Sequence, residues 1–129
     1  MEVPVPALYA GICALLSVLL ANSVLSVRLR GGQRPAWQGD AMLRVQANFV
    51  ENVPLALALL LIVELGGVGA AAVHWLGGSL VILRMLHAWG LGTYEGANYP
   101  RLIGAQGTFL LLSILGVTAI YQFVSRGSL

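Results

Sequence analysis

Five polar residues stand out in this sequence by type and spacing. Arg44, Asn48 and Glu51 recur at i, i+4 and i+7, which puts them along one face of a helix. Arg84 and His87 are spaced i, i+3 and share a face in the same way. Guanidinium groups suit carboxylates, because their planar N–H fork donates paired hydrogen bonds to the two oxygens. A lone carboxylate, here Glu51, suits an ammonium. The chemistry this set offers is recognition of a small zwitterion that carries more than one carboxylate.

The segments that must position these residues are strongly apolar. Of the 129 residues, 58% are hydrophobic and only 9% are charged, and the mean hydropathy is +0.85. A small soluble domain cannot hide that much apolar surface, so the composition predicts an integral membrane protein. Four segments are long enough to span, and helices are expected at about residues 3–27, 41–65, 70–91 and 101–125. Each covers most or all of a hydrocarbon core about 30 Å thick at about 1.5 Å rise per residue. Lipid offers backbone groups no partner, so the spans are read as helices, and no alternating pattern suggests a barrel. The expected architecture is an all-α bundle of four transmembrane helices, forming one domain over residues 1–129. The apolar start lacks a basic leader region and is expected to persist as the first helix, with Pro4 and Pro6 suited to an extended lead-in and a helix start.

All seven basic residues are arginines. Arg28, Arg30, Arg34 and Arg44 lie in or beside the first loop, and Arg84 and Arg101 lie at the same side of the third and fourth helices. Only Arg126 falls on the opposite side. Positive loops mark the cytoplasm, so both termini are expected outside it. Glu51 then lies about 10 Å deeper than Arg44. A charge at such depth costs about 2.5–3.5 kcal/mol and marks a candidate functional site. Arg84 reaches a similar depth from the third helix. The two charges must face each other, a neighbouring subunit or a polar cavity open to the cytoplasm. A bare ion pair would leave Arg44, Gln46, Asn48 and His87 unexplained, so a polar ligand is the expectation.

Other residues are assigned structural parts. Cys13 is the single cysteine, which excludes an intrachain disulfide and a cysteine metal cluster, and is read as helix packing. Gly77, Gly78, Gly104 and Gly107 are expected to allow close helix approach. Glu64 is expected to be solvated at the outer interface, and Trp37, His74, Trp75, Trp89 and Tyr121 to sit in interfacial belts. The net charge of +2 reflects arginines at one membrane face and excludes a nucleic-acid role.

Glutathione, with two carboxylates, an amino group and a thiol, is one zwitterion of the required kind among many. A family resemblance singles it out. Arg44-x-x-x-Asn48-x-x-Glu51-x-x-Pro54 at the start of the second helix, with Arg84-x-x-His87 and a loop leading to Arg101, resembles the MAPEG superfamily, the membrane-associated proteins in eicosanoid and glutathione metabolism. In detail the chain is most similar to the small bacterial branch. The resemblance covers nearly the whole chain and implies a homotrimer in the bacterial inner membrane, with glutathione bound as co-substrate between subunits near the cytoplasmic side.

Carried over by position, the resemblance implies that Arg44, Asn48 and Glu51 hold glutathione, with Glu51 meeting its amino group. Gln46 is implied as a further contact, Arg84 and His87 contribute from the third helix, and Arg28 or Arg30 meets a carboxylate. Arg101 is implied as the cation that stabilises the thiolate, which attacks a lipophilic small molecule arriving from the membrane lipids. Leu91 and Leu102 stand where eicosanoid-forming members carry a tyrosine and a serine, which points away from eicosanoid chemistry. Tyr94 and Tyr99 in the following loop are the alternatives for the missing phenol, though loop tyrosines near a membrane more often serve as interfacial anchors. The expected function is a glutathione transferase or peroxidase, of microsomal type. The alternative is a non-catalytic accessory protein that binds glutathione or lipid at the same site. A small multidrug transporter is disfavoured, because the first helix carries no acidic residue.

Overall fold

The computed structural model describes residues 2–30, 36–93, 96 and 98–126, without the side chains of residues 30, 91 and 92. Four helices follow one another: α1 (Pro6–Arg30), α2 (Ala36–Leu65), α3 (Ala70–Thr93) and α4 (Tyr99–Ser125). All four are long and apolar enough to cross a membrane. Pro6 opens α1, a position where its missing N–H leaves no helical bond unmade.

Helix ends on the arginine-rich side differ from the expected bounds. α1 runs to Arg30, α2 starts at Ala36 rather than near 41, and α3 runs to Thr93. Hydropathy marks where lipid stops, whereas the helical ladder needs only backbone donors and acceptors and continues into the polar zone. Arg44 therefore lies two turns inside α2 rather than at its edge. α4 begins two residues earlier than expected, capped by Asn98 in extended conformation (φ −151°, ψ 163°) with Pro100 in its first turn.

The buried stripe of α2, at Ala41, Val45, Phe49, Val53, Ala56, Leu60 and Val63, recurs every three or four residues. It packs at the centre of the bundle, where α2 meets all three other helices and α3 meets α1, α2 and α4. Phe49, Val53, Leu60 and Val63 join Tyr9 and Cys13 of α1, Val73 and Leu80 of α3, and Leu111 and Leu115 of α4. Cys13 is a buried free thiol inside that packing, as expected. Large apolar side chains such as Leu15, Leu19, Ile62, Ile82, Leu110 and Ile120 point outward, which suits lipid.

Lipid tails are as apolar as leucine, so close backbone approach at small residues helps hold the helices together. Gly104 shows this most clearly. A Cβ there would stand 2.5 Å from the His87 backbone nitrogen and 2.6 Å from the Leu83 carbonyl oxygen. Gly77 faces the Tyr9 ring and Gly107 the Leu83 side chain at similarly short range, but Gly78 faces open space and takes no part.

The outer end is also more structured than the sequence suggested. Glu64 is half-buried rather than solvated. Its Oε1 accepts from the Val5 backbone N–H at 3.2 Å, and Oε2 is buried without a hydrogen-bond partner. The Tyr9 hydroxyl lies 3.0 Å from the His74 carbonyl, to which it can donate, and 2.7 Å from Nδ1 of the same residue. His74 is thus a strut between α1 and α3.

Gly104→Ala is expected to push α3 from α4 and cost about 1–3 kcal/mol, the usual penalty of overpacking. Gly78→Ala should be neutral or stabilising by about 0.4–1 kcal/mol. Thermal unfolding of the two variants in detergent, side by side, checks the contrast.

Candidate functional site

The i, i+4, i+7 face of α2 forms one wall of a pocket of about 260 Å³. Arg44, Ala47, Asn48 and Glu51 supply that wall, His87 comes from α3, and Arg101 comes from the first turn of α4. Five of the residues singled out by spacing or by resemblance therefore converge on one cavity from three helices. Arg44 and Glu51 are exposed at its rim, Asn48 and Arg101 are half-buried, and His87 is only 4% exposed.

Arg84 is not part of that wall. It is buried to 3% exposure behind the pocket. Its Nη2 donates to Asn48 Oδ1 at 2.6 Å and its Nη1 to Thr108 Oγ1 at 3.2 Å. Nη2 also lies 3.4 Å from His87 Nδ1. Arg84 bonds these three residues rather than Glu51, so the ion pair between the two deep charges is not formed. Thr108 in turn donates to the Gly104 carbonyl at 2.6 Å, which aims its oxygen lone pairs at the guanidinium.

This arrangement sets the polarity of the pocket. A guanidinium has donors only, so Asn48 must present its oxygen to Arg84, and its amide N–H groups are what it has left to offer. By the same rule Nδ1 of His87 accepts, and in the neutral ring the proton sits on Nε2. The wall therefore combines two guanidinium groups, an amide donor and an imidazole donor with one carboxylate, Glu51. It matches an anionic molecule that also carries one cationic group.

Arg101 is held where α3 ends and α4 begins. Its backbone N–H donates to Asn98 Oδ1 at 2.9 Å, and its Nη1 makes a long contact with the Gly96 carbonyl at 3.5 Å. Gly104 brings the next turn of α4 against the backbone of His87. The α3 turn that carries His87 and the α4 turn that carries Arg101 thereby meet on one side of the cavity.

The chain does not gather every residue implied by the resemblance. Gln46 is half-buried on another face of α2, and Arg28 is exposed on α1; neither lines this pocket. The side chains of Arg30 and Leu91, and Tyr94 altogether, lie outside the described residues. Tyr99 is exposed at the start of α4, and no tyrosine or serine lines the pocket among the described residues. The same residues contain no cluster fit to hold a metal ion. Sequence reasoning missed Thr108 and Asn98. The spacing Arg101, Gly104, Thr108 marks a face of α4, and Asn98 before Tyr99-Pro100 has the form of a helix N-cap.

A sequence model of the MAPEG family matches residues 6–121. The chain belongs to the MAPEG family. It is 37% identical over 93 residues to the inner membrane protein YecN of Escherichia coli strain K12, an alignment covering 67% of this chain and 69% of that protein. The YecN of Escherichia coli O6:H1 strain CFT073 aligns with the same identity and coverage. No solved structure matches the chain. The matched family region holds all four helices up to Tyr121, and with them each residue of the pocket wall.

Thr108→Val should cost about 1–3 kcal/mol, because a buried guanidinium N–H loses its acceptor. Combining it with Arg84→Met should cost less than the two single losses added, since the orphaned donor is then gone. A double-mutant cycle on thermal unfolding in detergent measures this coupling.

Proposed function

We propose that this MAPEG protein binds glutathione in the pocket between α2, α3 and α4 and transfers its thiolate to lipophilic electrophiles. The convergence of Arg101, Arg44 and His87 with Glu51 and Asn48 in one cavity carries this reading. Arg44, the Asn48 amide and His87 would receive the carboxylates, and Glu51 the ammonium. Arg101 would stand beside the sulfur.

A neighbouring cation favours thiolate over thiol, and the thiolate is the nucleophile. In conjugation the thiol proton passes to water and the sulfur electron pair forms the new C–S bond. The leaving group departs with the electrons of the bond it breaks. Among the described residues the pocket wall carries no phenol or hydroxyl, and Arg101 is the residue we assign to the sulfur. An electrophile dissolved in the membrane meets this nucleophile already oriented, which removes part of the entropic barrier.

Gln46 and Arg28 lie outside the wall, and we assign them to the glutathione of an adjacent subunit in a homotrimer. The arginine distribution supports a pocket open to the cytoplasm with both termini on the far side. The relatives bear the name inner membrane protein, which supports the bacterial inner membrane as the location.

Detergent-purified protein is expected to run as a trimer by light scattering and to bind glutathione at millimolar concentration or below, with thiolate absorbance growing on binding. Arg101→Ala should abolish that absorbance while sparing most of the affinity. A failure of the wild type to bind glutathione would overturn the proposal. Conjugation of a chlorinated nitrobenzene tests turnover, and binding without it would leave a binding protein rather than a transferase.

A further inference from the structure

Asn98 was not singled out by its chemistry, yet its side chain holds both helix ends beside the pocket. Its Oδ1 accepts from the backbone N–H of Arg101 at 2.9 Å and so caps α4. Its Nδ2 donates to the Gly90 carbonyl near the end of α3 at 2.8 Å. The same Nδ2 lies 3.3 Å from the Gly96 carbonyl, the group that the Arg101 guanidinium also contacts. One amide thus fixes the main chain of Arg101 and the acceptor of its side chain, and ties both to the helix that carries His87.

The space around this amide is as tight as its bonding is complete. A Cβ on Gly90 would stand 2.4 Å from Asn98 Oδ1 and 2.5 Å from the Arg101 backbone nitrogen. The α4 start can sit this close to α3 only because position 90 has no side chain. Gly96 has φ +79°, a conformation open to glycine, in the short span between the two helices.

We infer that Asn98 is a positioning residue that acts through Arg101, holding its guanidinium beside the glutathione sulfur, with Gly90 as the cradle that admits it. This rests on the thiolate chemistry proposed above. An arginine on a frayed first turn would sample many rotamers, and its charge would be felt by the sulfur only part of the time. Electrostatic stabilisation is effective when the cation is held in place before the charge develops. The effect of Asn98 therefore falls on thiolate formation more than on glutathione affinity.

The test is titration of the thiolate absorbance of bound glutathione, carried into the alkaline range where a thiol ionises without a neighbouring cation, in wild type, Asn98→Ser, Gly90→Ala, Arg101→Ala and Asn98→Ser/Arg101→Ala, with affinities measured separately. Serine retains a cap for α4 but is too short to reach the Gly90 carbonyl, so the fold is expected to survive. Asn98→Ser and Gly90→Ala should each leave about tenfold less thiolate at a given pH, a shift of about one pH unit in the titration. Affinity should change less than threefold, and Asn98→Ser should shift the titration no further once Arg101 is alanine. An unchanged titration in Asn98→Ser, or an equal shift in the Arg101→Ala background, would overturn the inference while the transferase reading stands. Wild-type protein that binds glutathione without thiolate absorbance would remove the inference together with the thiolate chemistry it serves.

Discussion

Much of this bundle depends on the need to satisfy one guanidinium away from water. Arg84 is almost fully enclosed, at a depth where an unpaired charge costs about 2.5–3.5 kcal/mol. Its Nη donors reach Asn48 on α2 and Thr108 on α4, so a single side chain of α3 bonds to both neighbours. Its Nε remains without a hydrogen-bond partner. The acceptors are neutral, so the net positive charge persists behind the pocket. That charge adds to those of Arg44 and Arg101 around the cavity, a balance that suits an anion.

The same constraint explains the division of labour on α2. Asn48 lies between Arg44 and Glu51 on one face, but its oxygen is held by Arg84 from behind. Among the described residues Arg44 and Glu51 have no such hold, and they are exposed at the rim. The pocket therefore has a hydrogen-bonded back, formed by the buried Arg84, Thr108 and His87 with the half-buried Asn48, and an accessible front with one charge of each sign.

Close approach at the α3–α4 contact is what makes such a back possible. Gly90 and Gly104 let α4 lie against the backbone of α3 beside Arg101 and His87. A side chain at either position would separate the two helices and draw Arg101 and Thr108 away from their partners. Packing in lipid relies on such contacts because no hydrophobic force drives the helices together. Here the small residues that stabilise the bundle are also those that align the candidate site.

The helix count, the membrane setting and the polar face of α2 were determined by the sequence itself, because each depends on local hydropathy or on a spacing of three or four residues. Arg44, Asn48, Glu51, His87 and Arg101 were legible for the same reason, with the family resemblance joining the last of them to the rest. Only the tertiary structure decided that Arg84 stands behind the pocket, bonded to Asn48 and Thr108 instead of Glu51. It alone decided that Gly78 is idle, that Glu64 is bonded rather than solvated, and that Asn98 joins two helix ends. Spacing along one helix says which residues share a face. Which partner meets that face depends on helix rotation and close contact between segments distant in the chain.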